Sequence, residues 1–128
     1  MKKRFLLFIG LIVVVLFAVQ ASAAYDGGAV KKVMREHATL LGQTSKAAQS
    51  KDFFVVAEKL MENARLFKSL MAMPPKKGSD TEWKRILEGM INASFKGIGA
   101  CGEGNAEGVT AAIDELKALQ KEGHKMFK

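Results

Sequence analysis

Apolar side chains recur at alternating spacings of three and four along nearly the whole chain beyond residue 29. Val30, Val33/Met34, His37, Leu40/Leu41, Thr44 and Ala47/Ala48 form a first stripe, which predicts a helix from about Gly28 to about Gln49. A second stripe holds Phe53, Ala57, Leu60/Met61, Ala64, Phe67 and Met71. It begins beside Asp52, a residue type suited to an N-cap. It must end at Met73-Pro74-Pro75, because a helix does not readily continue into a proline pair. Ser79-Asp80-Thr81-Glu82 then reads as a capping box, with Ser at the cap and Glu three residues on. The third helix carries Trp83, Ile86/Leu87, Met90/Ile91, Ser94 and Ile98, and is expected to break across Gly97, Gly99, Gly102 and Gly104. Asn105 is placed to cap a fourth helix, whose stripe is Val109, Ala112/Ile113, Leu116, Leu119/Gln120, His124 and Phe127. No stretch alternates apolar and polar residues for long enough to make a strand.

Amphipathic helices joined by short loops predict an all-α, antiparallel up-down-up-down four-helix bundle over residues 24–128. Each helix is about 30 Å long at roughly 1.5 Å per residue. The 128-residue length allows one domain, and the bundle is long enough to build a core without covalent staples.

The first 23 residues follow a different pattern. Lys2, Lys3 and Arg4 precede an apolar run from Phe5 to Val19, and Ala21-Ser22-Ala23 supplies small residues at cleavage spacing. This is the plan of a secretory signal peptide cut after Ala23, and it predicts export to the periplasm. The run is shorter than the roughly 20 apolar residues of a membrane span, so no membrane association is expected after cleavage. Losing this segment lowers the formal net charge from +7 by three. The remaining basic residues are dispersed through amphipathic helices, so a nucleic-acid partner is not expected.

A single cysteine, Cys101, excludes an intramolecular disulfide and any metal site built from cysteines. It falls in the glycine-rich link at one end of the bundle, where it is either a free thiol or the bridge of a homodimer. Neither His lies near it, so no Cys-His nucleophile is assembled, and no enzymatic activity is expected.

At the opposite end the topology brings three side chains to one level. Met34 lies two turns into the first helix, Trp83 near the start of the third and His124 a turn from the end of the fourth. An imidazole and a thioether are a recurring axial pair for haem iron. Lys31, Lys32, Arg35, Lys84, Arg85, Lys125 and Lys128 surround that end and are available to haem propionates. The same spacings suit plainer roles. Met34 can be a core filler, and His124 can complement the helix dipole. His37, one turn after Met34, is an alternative sixth ligand or an interior histidine.

The stretch from Met34 to Phe127 resembles the cytochrome c-prime and cytochrome b-562 superfamily of periplasmic four-helix haem proteins. The resemblance rests on the terminal Gly123-His124-Lys125-Met126-Phe127-Lys128, the Pro74-Pro75 pair, the separation of Trp83 from His124 and the place of Met34. It implies a periplasmic electron-transfer protein that binds one haem between the first and fourth helices. His124 and Met34 would be the iron ligands, with His37 competing for the sixth position. Trp83 and Phe127 would line the haem, and Arg35, Lys125 and Lys128 would hold its propionates. An unidentified periplasmic redox partner is implied too. If Met34 does not reach the iron, the resemblance to the c-prime branch implies a site open to NO or CO.

Some residues depart from the family pattern. Gln120-Lys121-Glu122-Gly123-His124 stands where the c-type branch has Cys-x-x-Cys-His, so any haem is non-covalent haem b. Gln120 and Lys128 replace arginines of the b-type member, and Lys offers a point charge where Arg offers a fork. Gly123 is expected to loosen the last turn, at a cost of about 1 kcal/mol. A haem-free bundle acting as a binding or interaction protein is the alternative.

Overall fold

A computed structural model describes residues 24–127. Four helices follow in order: α1 (Gly27–Gln49), α2 (Phe53–Leu70), α3 (Asp80–Gly102) and α4 (Ala106–Phe127). Among the described residues there is no strand, and no helix is long and apolar enough to cross a membrane. The segment read as a signal peptide lies outside the described residues.

Short polar side chains start every helix. Asp26 accepts from the Ala29 amide at 3.2 Å, Asp52 from Val55 at 3.3 Å and Ser79 from Glu82 at 3.1 Å. Asn105 accepts from Gly108 at 3.0 Å. Each cap contributes on the order of 1 kcal/mol by satisfying an amide that the helix leaves free. The Ser79 cap forms as the capping-box pattern predicts, while the Glu82 carboxylate turns to Arg85.

Of the four glycines expected to break the third helix, only the last two stand at its end. The helix continues through Gly97 and Gly99 to Gly102, and Gly104, at φ +67°, makes the turn. Gly97 is a packing residue. A Cβ there would stand 2.5 Å from Leu60 Cδ1 and 3.1 Å from Ala112 Cβ, so its absence brings α2 and α4 close to α3. Gly123 likewise lies inside a continuous α4, where a Cβ would meet Ile86 Cγ2 at 3.3 Å. It serves close α3–α4 packing.

Each helix packs against its neighbours in sequence, and α1 closes the ring against α4. The core lies chiefly among α2, α3 and α4, with Leu60, Phe67, Leu87, Met90, Val109 and Leu116 almost wholly buried. The buried positions of α1 are Val33, His37, Leu40 and Thr44, half of them polar. The α1–α4 contact is the sparsest of the four.

Candidate functional site

The sparse seam opens into a cavity of about 540 Å³ at the end of the bundle where α1 starts and α4 finishes. This lies within the usual range for small-molecule sites, roughly 300–1,000 Å³. From α1 come Val30, Met34 and Ala38. Ile86 and Met90 of α3 form the facing wall with Leu119 and Gly123 of α4, and Phe67 of α2 closes the inner end. His124, Trp83 and Phe127 complete the lining.

Five of the residues expected in a haem site therefore meet around one cavity: Met34, His124, Trp83, Phe127 and Arg35. The helical period explains the meeting. Met34 and Ala38 are one turn apart on α1, and Leu119, Gly123 and Phe127 occupy successive turns of α4. The cavity has apolar walls and a basic rim, where Lys31, Arg35 and Lys76 are exposed.

The aromatic wall is fixed from behind. Trp83 Nε1 donates to the Met73 carbonyl at 2.9 Å, which ties α3 to the proline-containing loop. Phe127 meets the indole edge-on, with ring centroids 5.3 Å apart. The loop reaches Phe127 through Gly78, at φ +86°, where a Cβ would approach the Phe127 ring to 2.9 Å. Glycine is required there by both conformation and contact.

The basic residues divide unevenly. Lys125 is exposed and takes no part in the lining, because a residue next to His124 on a helix projects about a quarter-turn away. Lys128 lies outside the described residues. Arg85 is engaged by Glu82 and Glu122, an exposed clasp between α3 and α4 beside the cavity, and is not free for a ligand. Lys76, brought in by the loop after Pro75, was not evident from helical spacing.

His37 does not line the cavity. It is fully buried behind the inner wall, edge-on to Phe67 with ring centroids 5.0 Å apart. Its Nδ1 lies 2.6 Å from Asn63 Oδ1. Asn63 Nδ2 donates to Ser94 Oγ at 3.1 Å, and Ser94 Oγ donates to the Met90 carbonyl at 2.8 Å. A polar chain thus crosses the core from α1 through α2 to α3, while His37 Nε2 is buried without a hydrogen-bond partner. Burial pushes the His37 pKa below its ordinary value; the bond to Asn63 opposes this, and the nearby His124 adds to it. Asn63 was missed from sequence. The available signal was a polar side chain three residues after Leu60 and four before Phe67, inside a buried face.

Cys101 is a half-buried free thiol near the C-terminus of α3, at the other end of the bundle from His124. Burial raises its pKa, which favours an inert thiol. Among the described residues no group of three or more His, Cys, Asp or Glu side chains is placed to hold a metal ion. The chain matches no family model, no curated protein and no solved structure in these comparisons.

The residues present fit a haem. One imidazole and one thioether border the same apolar cavity, and cationic side chains stand at its mouth where carboxylates would emerge. Planar aromatic walls suit a flat macrocycle. The absence of cysteine beside His124 restricts the fit to a non-covalent group.

Proposed function

We propose that this protein binds one non-covalent haem b in the α1–α4 seam and carries electrons in the periplasm. The supporting observation is the convergence of Met34 and His124 on one apolar cavity with a basic rim. His124 offers a ring nitrogen from α4, and Met34 offers its thioether from α1. Trp83 and Phe127 exclude water from one side, held by the Met73 carbonyl and by Gly78. Arg35, Lys31 and Lys76 neutralise carboxylates at the mouth. The bound group supplies a one-electron couple, and an imidazole–thioether ligand set favours its reduced form. The resemblance to bundle cytochromes and the signal-like segment at residues 2–23 support the same reading.

The test is an absorption spectrum of the full chain reconstituted with haem, oxidised and then reduced with dithionite. A Soret band and a sharp reduced α-band, both weakened in His124→Ala, are expected. A well-folded helical protein that takes up no haem would sink the cytochrome reading. It would leave the cavity to another apolar anion, as expected of a haem-free binding protein.

A further inference from the structure

The charges of the bundle are sorted by end, and local helix chemistry accounts for only part of the sorting. At the end away from the cavity, exposed acids sit where helices favour them: Asp52 caps α2, and Glu107 lies in the first turn of α4. At the cavity end, Lys68 and Lys125 occupy the last turns of α2 and α4, where cations are favoured. Lys31, Lys32 and Arg35 have no such reason. They stand in the first half of α1, a helix with no acid in its first turn. Lys31 and Arg35 are four residues apart and Lys32 and Arg35 three, so each pair repels on a shared helix face. Among the described residues the ion pairs lie elsewhere: Arg85 holds Glu82 and Glu122, and Lys96 meets Glu115.

The loop after α2 adds Lys76 and Lys77 to the same end, both exposed. Lys31, Arg35 and Lys76 line the cavity, while Lys32, Lys77 and Lys84 are exposed outside the lining. The lining cations suffice for the carboxylates of a bound group, so the outer three have no role in that site. Self-repelling cations on an open surface are stabilised by an opposing anionic surface. The pattern fits a protein better than a membrane, because exposed Glu36, Asp80 and Glu88 are interspersed among the cations. A protein can set a base opposite each acid, whereas a uniformly anionic membrane repels all three. Glu103, Glu107 and Asp114 are exposed at or toward the other end. The resulting charge dipole along the bundle turns the cavity end toward an acidic surface before contact.

We propose that the cavity end, centred on Lys31, Lys32, Arg35, Lys76 and Lys77, is the docking surface for a protein partner with an acidic face. That the partner exchanges electrons rests on the haem reading; the docking itself does not. Docked there, the partner covers the cavity mouth.

The probe is an acidic flavodoxin, used first in its oxidised, diamagnetic form and then as the hydroquinone. The isotope-labelled full chain, free of haem, is titrated with the oxidised probe at low and high salt. Amide shifts confined to the start of α1, the loop after α2 and the end of α4 are expected at low salt, and high salt should screen them away. Lys32→Glu/Lys77→Glu, which leaves the lining intact, should abolish them, and the far-end Lys46→Glu should keep them. Circular dichroism checks the fold of each. In the haem-loaded chain the hydroquinone passes one electron to the ferric iron and becomes the semiquinone. The double variant should slow this step at low salt by roughly 10-fold or more, the lower end of what electrostatic steering supplies, with haem uptake unchanged. Shifts spread over both ends of the bundle, or undiminished in the double variant, overturn the proposal. Tighter binding to phosphatidylglycerol vesicles than to the probe also overturns it and gives this end to a membrane. Localised shifts with no haem uptake would sink the haem reading and leave the docking surface standing. Haem uptake without localised shifts does the reverse.

Discussion

The α1–α4 seam and the core among α2, α3 and α4 are built from the same kind of amphipathic helix, yet they pack in opposite ways. In the core, Gly97 removes a side chain so that Leu60 and Ala112 can press against the α3 backbone. Phe67, Leu87, Met90 and Leu116 then fill the interior almost completely. In the seam, α1 presents small and flexible side chains such as Ala38 and Met34, and the helices enclose about 540 Å³. One region spends its apolar surface on cohesion. The other leaves apolar surface uncovered beside an imidazole and a basic rim, the feature on which the proposed ligand site rests.

The largest expected contrast is in truncation. Leu60→Ala should destabilise the protein by about 2–5 kcal/mol, since the deleted atoms leave a void in a close-packed layer. Met34→Ala should cost about 1 kcal/mol or less, because half-buried Met34 already borders open space. Urea unfolding of the haem-free protein measures both, and equal losses would break the comparison.

Filling the seam should act in the opposite direction. Ala38→Leu adds apolar surface to the cavity wall and should raise the stability of the haem-free protein by up to about 1 kcal/mol. It should also weaken haem uptake. A variant that gains stability and still binds haem like the wild type would show that the cavity is not the haem site.

A pH series separates the two regions by charge. The folded pKa of His37 lies below its ordinary 6.5, chiefly because of burial. As the pH falls, the unfolded chain takes up this proton before the folded chain does. Stability is therefore full above about pH 6.5 and declines below it, toward the folded pKa. Urea midpoints across this range should show the decline in the wild type. The slope should flatten in His37→Leu/Asn63→Leu.

The smallest effect lies at the far end. Lys51, in the α1–α2 turn, has φ +56°, a left-handed conformation that costs a side-chain-bearing residue roughly 1–2 kcal/mol. Lys51→Gly relieves this but makes the unfolded chain more flexible, so a net gain of about 0.5–1 kcal/mol is expected by thermal unfolding. Haem uptake should not change, because the turn is remote from the cavity.

Much of the fold was legible because local chemistry specified it. Asp52, Ser79 and Asn105 each cap the helix expected to follow them, and Pro74-Pro75 separates α2 from α3. Gly97 misled because a glycine that ends a helix and one that admits a neighbouring helix look alike in sequence. Gly104 does the first and Gly97 the second. Met34, Trp83, His124 and Phe127 line one cavity, and antiparallel topology, which fixes axial position, explains why they meet. Lys125 is exposed and outside the lining, because the rotation of α4 about its axis, which decides which residues border the cavity, is set by packing.

The sequence by itself determined four amphipathic helices, their order, their caps and the end of the bundle at which imidazole, thioether and indole gather. These follow from periodicity and from interactions within a few residues. Only the tertiary structure decided that α1 and α4 splay apart while the other seams close, and that Met34 borders the opening while His37 lies behind it. It alone showed that Asn63 and Ser94, far apart in sequence, hold the His37 ring in one orientation. The physical reason is that helix spacing, axial rotation and buried polar pairing depend on how side chains from several helices fill a common volume, and no stretch of one helix contains that information.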